Sequence, residues 1–319
     1  MVSFGRTRVQ THTVLMYGKP VAEEITRRIM VELPDFKQRY QVTPTLAIVQ
    51  VGDDPPSTRY VGKKIEACEK LGMQAVRKHF ATEISADDLK EEVRRLSDSP
   101  EIHGVLVQLP LPQAIEEHHS AGTNKFDIFD AIAPEKDVDG IGQVSVAELY
   151  RAQQERMHFL AATALAVRRM MSYYRVATKG KRAVVVGRND ITAKPIMQML
   201  GGRMCDAAAI WCHRYVPAEE QHDLIRNADI LVSSVGSYHY KITRDMLKPG
   251  VVIFDVATRV TAAGKLVGDV DLENVKGIAS KITPVPGGVG PVTVAALTEN
   301  LLRAAKFCCG VSDATGYQF

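Results

Sequence analysis

The chain is organised around the segment STRYVGKK at residues 57–64, which follows an acidic turn and an apolar run, LAIVQV, at residues 46–51. This order predicts a strand, a loop and a helix, with Ser57 capping the helix. Tyr60 and Lys64 are four positions apart, so a helix presents them on one face with Cβ atoms about 5–6 Å apart. That face is directed to the carboxyl end of the strand, where open α/β sheets bind ligands. A partly solvated helix edge is the simpler interpretation of these two residues alone.

Short apolar runs alternate with helical patterns through the first half of the chain. A strand-like run at residues 75–80 and a helix starting near Ser85 lead to a third apolar run at residues 104–112. Such alternation is typical of βαβ units that form a parallel sheet. Gln108, near the end of the third run, carries a primary amide that needs a hydrogen-bond partner if it is buried. A glutamine bonded to nearby backbone at a sheet edge would satisfy the same pattern.

Composition limits the classes of protein that the chain can belong to. Its 319 residues are 45% hydrophobic and 24% charged, which is ordinary for a globular protein and enough for two domains. The net charge is only +3, and no dense basic block is interleaved with aromatic residues, so nucleic acid is not an expected partner. No apolar run approaches the roughly 20 residues that span a bilayer, so we expect no membrane segment.

Cysteine usage and the first residues bear on the cellular compartment. The five cysteines show neither CxxC spacing nor the density of a disulfide framework, which fits a reducing compartment, and we expect a cytoplasmic protein. Residues 1–13 contain Arg6 and Arg8 and no acidic residue, as a mitochondrial transit peptide does. A short basic tail is the favoured interpretation of this segment.

A second set of strand and helix patterns follows a long helical segment at residues 155–174. Its strand-like runs are RAVVVGR at residues 182–188 and the segments 207–212, 230–234 and 251–255. We expect these runs to form a Rossmann-like parallel sheet, which makes the fold class α/β with two domains. The predicted limits are residues 1–155 for the first domain and 156–290 for the second, with a final helix at about residues 291–308.

The first strand of the second domain ends in part of a dinucleotide motif. Gly187 fits the pattern G-x-G-x-x-G, but Asn189 and Thr192 stand where the other two glycines belong, so the motif alone is weak. A site for NAD expects an acidic residue at the end of the next strand, and this strand ends in basic residues instead. The guanidinium groups of Arg188 and Arg214 could converge on a 2′-phosphate, which favours NADP over NAD.

Two loops complete the pattern. The charged loop APEKDVDG at residues 133–140 has an Asp-x-Asp spacing but lacks the third oxygen ligand and the closing glutamate of a calcium loop, so no metal is expected. Its carboxylates are read most simply as solvated turn residues.

The run ITPVPGGVGP at residues 282–291 contains three glycines, which allow a backbone to approach a flat ligand closely. It is not a Walker loop, because no Gly-Lys-Ser/Thr follows.

Five motifs in this order resemble the methylenetetrahydrofolate dehydrogenase/cyclohydrolase family. They are YxxxK at residues 60–64, VQLP at 107–110, PEKDVDG at 134–140, VGR at 186–188 and TPVPGGVGP at 283–291. The similarity extends from about residue 16 to residue 307. It implies two α/β domains around a cleft, with the final helix returning to the first domain, and it implies a homodimer.

The resemblance also implies roles for individual residues. It gives Lys64 the central role in interconverting methylene-, methenyl- and formyl-tetrahydrofolate, with Gln108 as its hydrogen-bonding partner, Tyr60 as a stacking platform and Asp139 as the pterin anchor. A carboxylate suits the anchor because a pterin offers an N–H and an amine side by side. The other implied substrate-binding residues are Val107, Leu109, Pro286, Gly287, Gly288, Val289 and Gly290. The implied NADP-binding residues are Gly187, Arg188, Asn189, Arg214 and Thr258.

The implied activity is oxidation of methylenetetrahydrofolate with NADP, followed by hydrolysis of the methenyl product to 10-formyltetrahydrofolate. In the hydrolysis a proton must be moved, and an amine near a cationic ligand suits that task, because burial and the cation both depress its pKa. In the oxidation a hydride passes directly to nicotinamide, so the protein mainly supplies orientation.

Three segments depart from the family pattern, and all lie on the cofactor side. The family's cofactor loop reads Gly-x-Ser-x-x-Val-Gly-x-Pro, and here Asn189, Thr192 and Ala193 replace the Ser, Val and Gly. A usual Pro-Cys-Thr-Pro appears as AATA at residues 161–164, and a late Gly-Ile-Asn appears as ATR at residues 257–259.

Two other functions remain open on the sequence. One is a relative that keeps only the dehydrogenase and uses NAD, which Gln108 and the arginine pair speak against. The other is a non-catalytic module that binds folate or a nucleotide. Lys64 speaks against it, because binding alone would not require that amine.

Overall fold

The computed structural model describes residues 12–116, 123–151, 158–311 and 317. The chain forms two compact units. The first unit comprises residues 19–169 and 291–319, and the second comprises residues 1–18 and 170–290. Most of the predicted basic tail, residues 1–11, lies outside the described residues. Within the described part of the chain, no helix is both long enough and apolar enough to cross a membrane.

The strands and helices alternate along the chain, as the sequence predicts. In chain order they are β1 (Val14–Leu15), α1 (Gly18–Tyr40), β2 (Thr45–Val51), α2 (Pro55–Lys70), β3 (Gln74–Phe80), α3 (Ala86–Asp98), β4 (Gly104–Val107), α4 (Gln113–Glu116), α5 (Lys125–Phe129), α6 (Gln143–Arg151), α7 (Ala162–Tyr173), β5 (Arg182–Val186), α8 (Ala193–Gly201), β6 (Ala208–Cys212), α9 (Ala218–Arg226), β7 (Ile230–Ser233), β8 (Val252–Asp255), β9 (Arg259–Val260), β10 (Leu266–Val267), α10 (Leu272–Val275), β11 (Lys281–Ile282) and α11 (Val289–Cys308).

The first unit is built on a three-stranded parallel sheet in the order β3-β2-β4. Every residue of the central strand β2 is buried, which explains why that strand reads as a continuous apolar run. On one face, Leu89 and Val93 of α3 join a core that includes Ala47 and Val49 of β2. Leu89 and Val93 are one helical turn apart, and burying a leucine of this kind contributes about 1.5–3 kcal/mol.

The predicted charged loop at residues 133–140 runs beside β4. Val105 forms a parallel bridge with Asp137. Gly104 is required at this approach, because a Cβ atom there would lie 2.5 Å from the Cγ1 atom of Val138. The loop is therefore held next to the strand that leads to Gln108.

The start of α2 differs from the prediction that Ser57 caps it. The helix begins at Pro55, and the carboxylate of Asp54 caps it by accepting a hydrogen bond from the Ser57 N–H over 2.9 Å. Prolines are tolerated in a first helical turn, because those N–H groups have no partner within the helix. Ser57 is instead a buried first-turn residue whose hydroxyl donates to the same carboxylate over 2.7 Å.

The second unit contains a six-stranded sheet in the order β1-β11-β8-β7-β5-β6, and its paired strands run parallel. The four strands predicted for this region, β5 to β8, all form there. The predicted α/β class with a Rossmann-like parallel sheet is confirmed. The two-residue strands β1 and β11 were not predicted, and they pair Val14 with Lys281 and Leu15 with Ile282.

The units divide the chain at other places than the limits predicted from sequence. Residues 12–18 belong with the second unit, because β1 pairs with β11. Residues 158–169 belong with the first unit, where the buried Phe159 ring packs edge-on against Phe307 at a centroid distance of 5.9 Å. The limits 1–155 and 156–290 stay a prediction about functional domains.

Candidate functional site

Two neighbouring strands of the first unit bring Lys64 and Gln108 together. Lys64 lies on α2, which follows β2, and Gln108 directly follows β4, where its N–H donates to the carbonyl of Val49 over 2.8 Å. The Lys64 amine Nζ donates to Gln108 Oε1 over 2.9 Å. Gln108 Nε2 donates to the Leu109 carbonyl over 2.7 Å, which fixes the orientation of the amide. The amide oxygen therefore faces the amine.

Asp139 is the charged partner of Lys64. Burial lowers the pKa of Lys64, and the charge of Asp139 opposes that shift. Burial also raises the pKa of Asp139, and the charge of Lys64 opposes that shift in turn. A lysine with a lowered pKa loses its proton closer to neutral pH than a free lysine does. The amine can then act both as a base and as an acid.

Asp137 shapes the loop that carries Asp139. Its buried carboxylate accepts hydrogen bonds from the N–H of Gly140 over 3.1 Å, the N–H of Gly142 over 2.9 Å and the hydroxyl of Ser145 over 2.7 Å. Burial raises the pKa of Asp137, and these hydrogen bonds oppose the rise. The interpretation of the loop carboxylates as solvated is wrong for Asp137, which is 2% exposed, whereas Asp139 is half-buried. In the sequence, the Asp-x-Asp spacing was the only sign that Asp137 holds this loop.

The other predicted substrate residues of the first unit surround the same strand ends. Tyr60 is half-buried one turn before Lys64, with the ammonium of Lys63 lying 5.7 Å from its ring centroid. Val107 is buried in β4, and Leu109 is half-buried after it. An aromatic ring and two apolar side chains therefore lie close in sequence to the amine and the amide.

The predicted residues Pro286 to Gly290 lie in the second unit, where α11 begins. Gly287 has a φ of 101°, a value that favours glycine. A Cβ atom on Gly288 would lie 2.6 Å from the Pro284 carbonyl oxygen. The helix begins at Val289, two residues before the predicted start at about residue 291, so Pro291 is its third residue. Backbone shape thus requires two of the three glycines, whereas a side chain at Gly290 would meet nothing within 4 Å.

The carboxyl ends of β5 and β7 approach each other closely in the second unit. The chain continues from β5 to β6 on one side of β5 and then to β7 on the other, which makes this point a topological switch. Gly187 has a φ of 127°, and a Cβ atom there would lie 2.4 Å from the carbonyl oxygen of Ser234. The hydroxyls of Thr192 and Ser234 lie 2.7 Å apart. Open α/β sheets bind nucleotides at such switch points.

Arg188 and Arg214 meet at a third residue, Tyr215. Both guanidinium carbons lie 5.0 Å from the centroid of the Tyr215 ring, and Arg214 also donates to the Tyr215 hydroxyl over 3.1 Å. That hydrogen bond, together with the charges of both arginines, lowers the pKa of Tyr215. Among the residues that the structure describes, neither arginine forms an ion pair. Two exposed positive charges on one ring suit a phosphate.

Sequence reasoning missed Tyr215. Its one signal is its position directly after Arg214 at the end of a Rossmann strand.

The remaining predicted cofactor residues are Asn189 and Thr258. The Asn189 side chain accepts a hydrogen bond from the Ile191 N–H over 2.9 Å, which turns the loop toward α8. Thr258 is exposed after β8. Its neighbour Arg259, one of the departures from the family pattern, forms a 3.2 Å ion pair with the buried Asp269.

Across residues 12–116, 123–151, 158–311 and 317, no cluster of three or more His, Cys, Asp or Glu is arranged to hold a metal ion.

Comparison with known proteins agrees with this geometry. The model for the catalytic domain of tetrahydrofolate dehydrogenase/cyclohydrolase matches residues 16–139, and the model for its NAD(P)-binding domain matches residues 161–309. The bifunctional protein FolD of Halalkalibacterium halodurans is 38% identical over 293 residues, which cover 92% of this chain and 99% of that protein.

Solved structures give the same result. The bifunctional FolD enzyme of Campylobacter jejuni superposes with a TM-score of 0.84 at 34% identity, covering 92% of this chain and 99% of the other. The Trypanosoma brucei enzyme, solved with NADP and an inhibitor, superposes with a TM-score of 0.84 at 32% identity, covering 93% and 98%. The family resemblance predicted from the sequence is confirmed. The chain belongs to the tetrahydrofolate dehydrogenase/cyclohydrolase family.

Proposed function

We propose that this chain oxidises 5,10-methylenetetrahydrofolate to 5,10-methenyltetrahydrofolate with NADP and hydrolyses the methenyl form to 10-formyltetrahydrofolate. The observation that carries the proposal is the contact of the Lys64 amine with Gln108 at 2.9 Å, beside the carboxylate of Asp139. A half-buried amine with a lowered pKa is a group for proton transfer, and its partners hold it in place. Family membership supplies the substrate class.

The pterin is held from the first unit by Asp139 and Tyr60. The carboxylate of Asp139 accepts two hydrogen bonds from the N–H and the exocyclic amine of the pterin. Tyr60 stacks on the folate, Leu109 provides an apolar contact, and the buried Val107 contributes through the end of β4 next to Gln108. In the second unit, the residues from Pro286 to Gly290 are proposed to contact folate through their backbone, which fits the need for glycine at Gly287 and Gly288.

Lys64 moves the proton in the hydrolysis. The neutral amine accepts a proton from the attacking water as the new C–O bond forms at the methenyl carbon. The ammonium then donates that proton to N5 of the folate as the C–N5 bond breaks. The hydroxyl proton of the intermediate leaves to solvent, so the reaction releases one proton overall. Gln108 keeps the amine in place by accepting its hydrogen bond through both states.

The second unit holds the cofactor. When NADP is bound, its nicotinamide ring accepts the hydride from the methylene carbon. Gly187 allows the pyrophosphate to approach the backbone, and Asn189 and Thr258 follow the carboxyl ends of β5 and β8. Arg188 and Arg214 bind the 2′-phosphate, and two guanidinium groups at 5.0 Å from the same Tyr215 ring centroid fit a doubly charged group.

A pair of spectrophotometric assays tests the proposal against its alternatives. Purified enzyme is given methylenetetrahydrofolate with NADP or NAD in parallel, and methenyltetrahydrofolate alone. The proposal predicts NADP-dependent formation of the methenyl form and its enzymatic hydrolysis. A preference for NAD without hydrolysis would indicate a dehydrogenase-only relative. Folate binding without turnover would indicate a binding module.

We also propose that residues 1–155 with the helix at 291–308 form the folate domain, and that residues 156–290 form the NADP domain. The protein acts as a cytoplasmic homodimer without a nucleic-acid or membrane partner. The five cysteines lack CxxC spacing and the density of a disulfide framework, which supports a reducing compartment. Sedimentation velocity on the purified chain tests the dimer.

A further inference from the structure

Tyr317 lies beyond the residues that the family models match, yet its side chain is buried in the first unit at 5% exposure. Its hydroxyl accepts a hydrogen bond from the Leu160 N–H over 2.9 Å and donates one to Asn300 Oδ1 over 2.7 Å. Burial raises the pKa of Tyr317, so the hydroxyl keeps its proton and remains a donor. A buried hydroxyl with both a donor and an acceptor partner is a specific contact.

The second partner, Asn300 on α11, connects this contact to the loop of Asp139. Asn300 Nδ2 donates to the carbonyl of Val138 over 2.8 Å and to that of Leu160 over 3.2 Å. Val138 is the residue before Asp139. The amide of Asn300 is therefore fixed at its oxygen by Tyr317 and at its nitrogen by the loop.

The segment around Leu160 packs directly on the same loop. The N–H of Ala162 donates to the carbonyl of Asp139 over 3.3 Å. A Cβ atom on Gly140 would lie 2.6 Å from the nitrogen of Ala161, so the two segments are in close contact. Movement of Leu160 or of Asn300 would thus displace Asp139.

The ring of Tyr317 is fixed as well as its hydroxyl. The guanidinium carbon of Arg303 lies 4.7 Å from the Tyr317 ring centroid and 5.2 Å from that of Phe307. Arg303 Nε also donates to the carbonyl of His158 over 2.8 Å. These contacts hold the ring in one orientation, so the hydroxyl stays on Asn300 and Leu160.

We propose that Tyr317 is a positioning residue for folate binding, which acts by fixing the loop of Asp139 through Asn300 and Leu160. The inference rests on the proposed function of Asp139 as the pterin anchor. Loss of the hydroxyl removes one partner from each of two buried groups, a change that proteins tolerate poorly. The amide of Asn300 then loses its restraint, and the carboxylate of Asp139 is no longer held in the orientation that the pterin needs.

The test is Tyr317→Phe, which keeps the ring and removes the hydroxyl. We expect the KM for methylenetetrahydrofolate to rise about five- to tenfold, with kcat and the KM for NADP changing less than about twofold. The matched control is Tyr174→Phe, which removes another tyrosine hydroxyl bond, 2.7 Å to the carbonyl of Tyr17 in the second unit. The control should leave the folate KM unchanged. Thermal melts show that each variant is folded at the assay temperature.

Asp139→Ala and the double variant separate the two proposals. If Asp139→Ala weakens folate binding and Tyr317→Phe adds nothing to it, the two residues act through one route, as proposed. If Asp139→Ala weakens binding but Tyr317→Phe only lowers the melting temperature, Tyr317 is merely structural and the inference is overturned. If Asp139→Ala itself has no effect, the pterin anchor is wrong and the inference fails with it. Tyr317→Leu, which also removes the ring, should raise the folate KM further.

Discussion

Replacing both Arg188 and Arg214 with Ala should weaken NADP far more than NAD. The two guanidinium groups lie at equal distances of 5.0 Å from the Tyr215 ring, so one phosphate beside that ring meets both charges. A hydrogen bond to a charged group contributes about 1.5–3 kcal/mol, and the exposure of both arginines places each contact at the lower end of that range. Two such contacts sum to about 3 kcal/mol, so the KM for NADP should rise about 10²-fold. NAD lacks the 2′-phosphate, so its KM should change little.

The assay measures initial rates of methenyl formation with each cofactor at fixed methylenetetrahydrofolate. Arg226→Ala is the matched control, because it removes an exposed arginine at the end of α9 in the same unit. It should leave the preference for NADP intact. Raising the salt concentration should increase the KM for NADP in the wild type and much less in the double variant, because salt screens exposed charges. Equal losses with NADP and NAD would refute the reasoning, since only the 2′-phosphate distinguishes the two cofactors.

Two further predictions concern the carboxylates of Asp139 and Asp255. Asp139→Ala should raise the folate dissociation constant at least about tenfold. It should cost little thermal stability, because Asp137 and not Asp139 holds the loop. An unchanged dissociation constant or a large fall in melting temperature would contradict this prediction. Burial raises the pKa of Asp255 to about 7, so the folded state holds a proton there that an unfolded aspartate releases near pH 4. The stability from this proton is complete below about pH 4 and is lost as the pH rises through 7. The free energy of unfolding of the wild type relative to Asp255→Asn should therefore fall between pH 5 and pH 8, as denaturant titrations would show, and a difference independent of pH would refute this.

The sheets could be predicted because their central strands are mostly buried and apolar. β2 and β5 appear in the sequence as continuous apolar runs, and four predicted strands of the second unit form within two residues of their expected limits. The edge pair β1 and β11 could not be predicted. Each has two residues, and their partners are more than 260 positions apart along the chain. The division between the units follows from that pairing, which explains why the predicted limits differ from it.

The candidate site likewise contains some contacts that the sequence could predict and others that it could not. Lys64 and Gln108 could be expected to meet, because each follows a parallel strand and the carboxyl ends of such strands share one edge. Asp54 caps α2 because it directly precedes Pro55, and the sequence offered Ser57 as an equally good cap. Tyr317 could not be found from local pattern, since its contact with Leu160 joins residues 157 positions apart. Tyr215 could be identified only from the structure, in which both arginines lie close to its ring.

The central claim, that Lys64 transfers the proton in hydrolysis, is tested most directly by Lys64→Met. This change keeps most of the side-chain stem and removes the amine. Methenyl hydrolysis by the purified variant should fall about 10²-fold or more, while folate affinity changes much less. The dehydrogenase should be affected no more strongly than the hydrolysis, because no proton leaves through Lys64 in hydride transfer. Lys70→Met, at an exposed position on the same helix, should retain both activities. Near-normal methenyl hydrolysis by Lys64→Met would contradict the account.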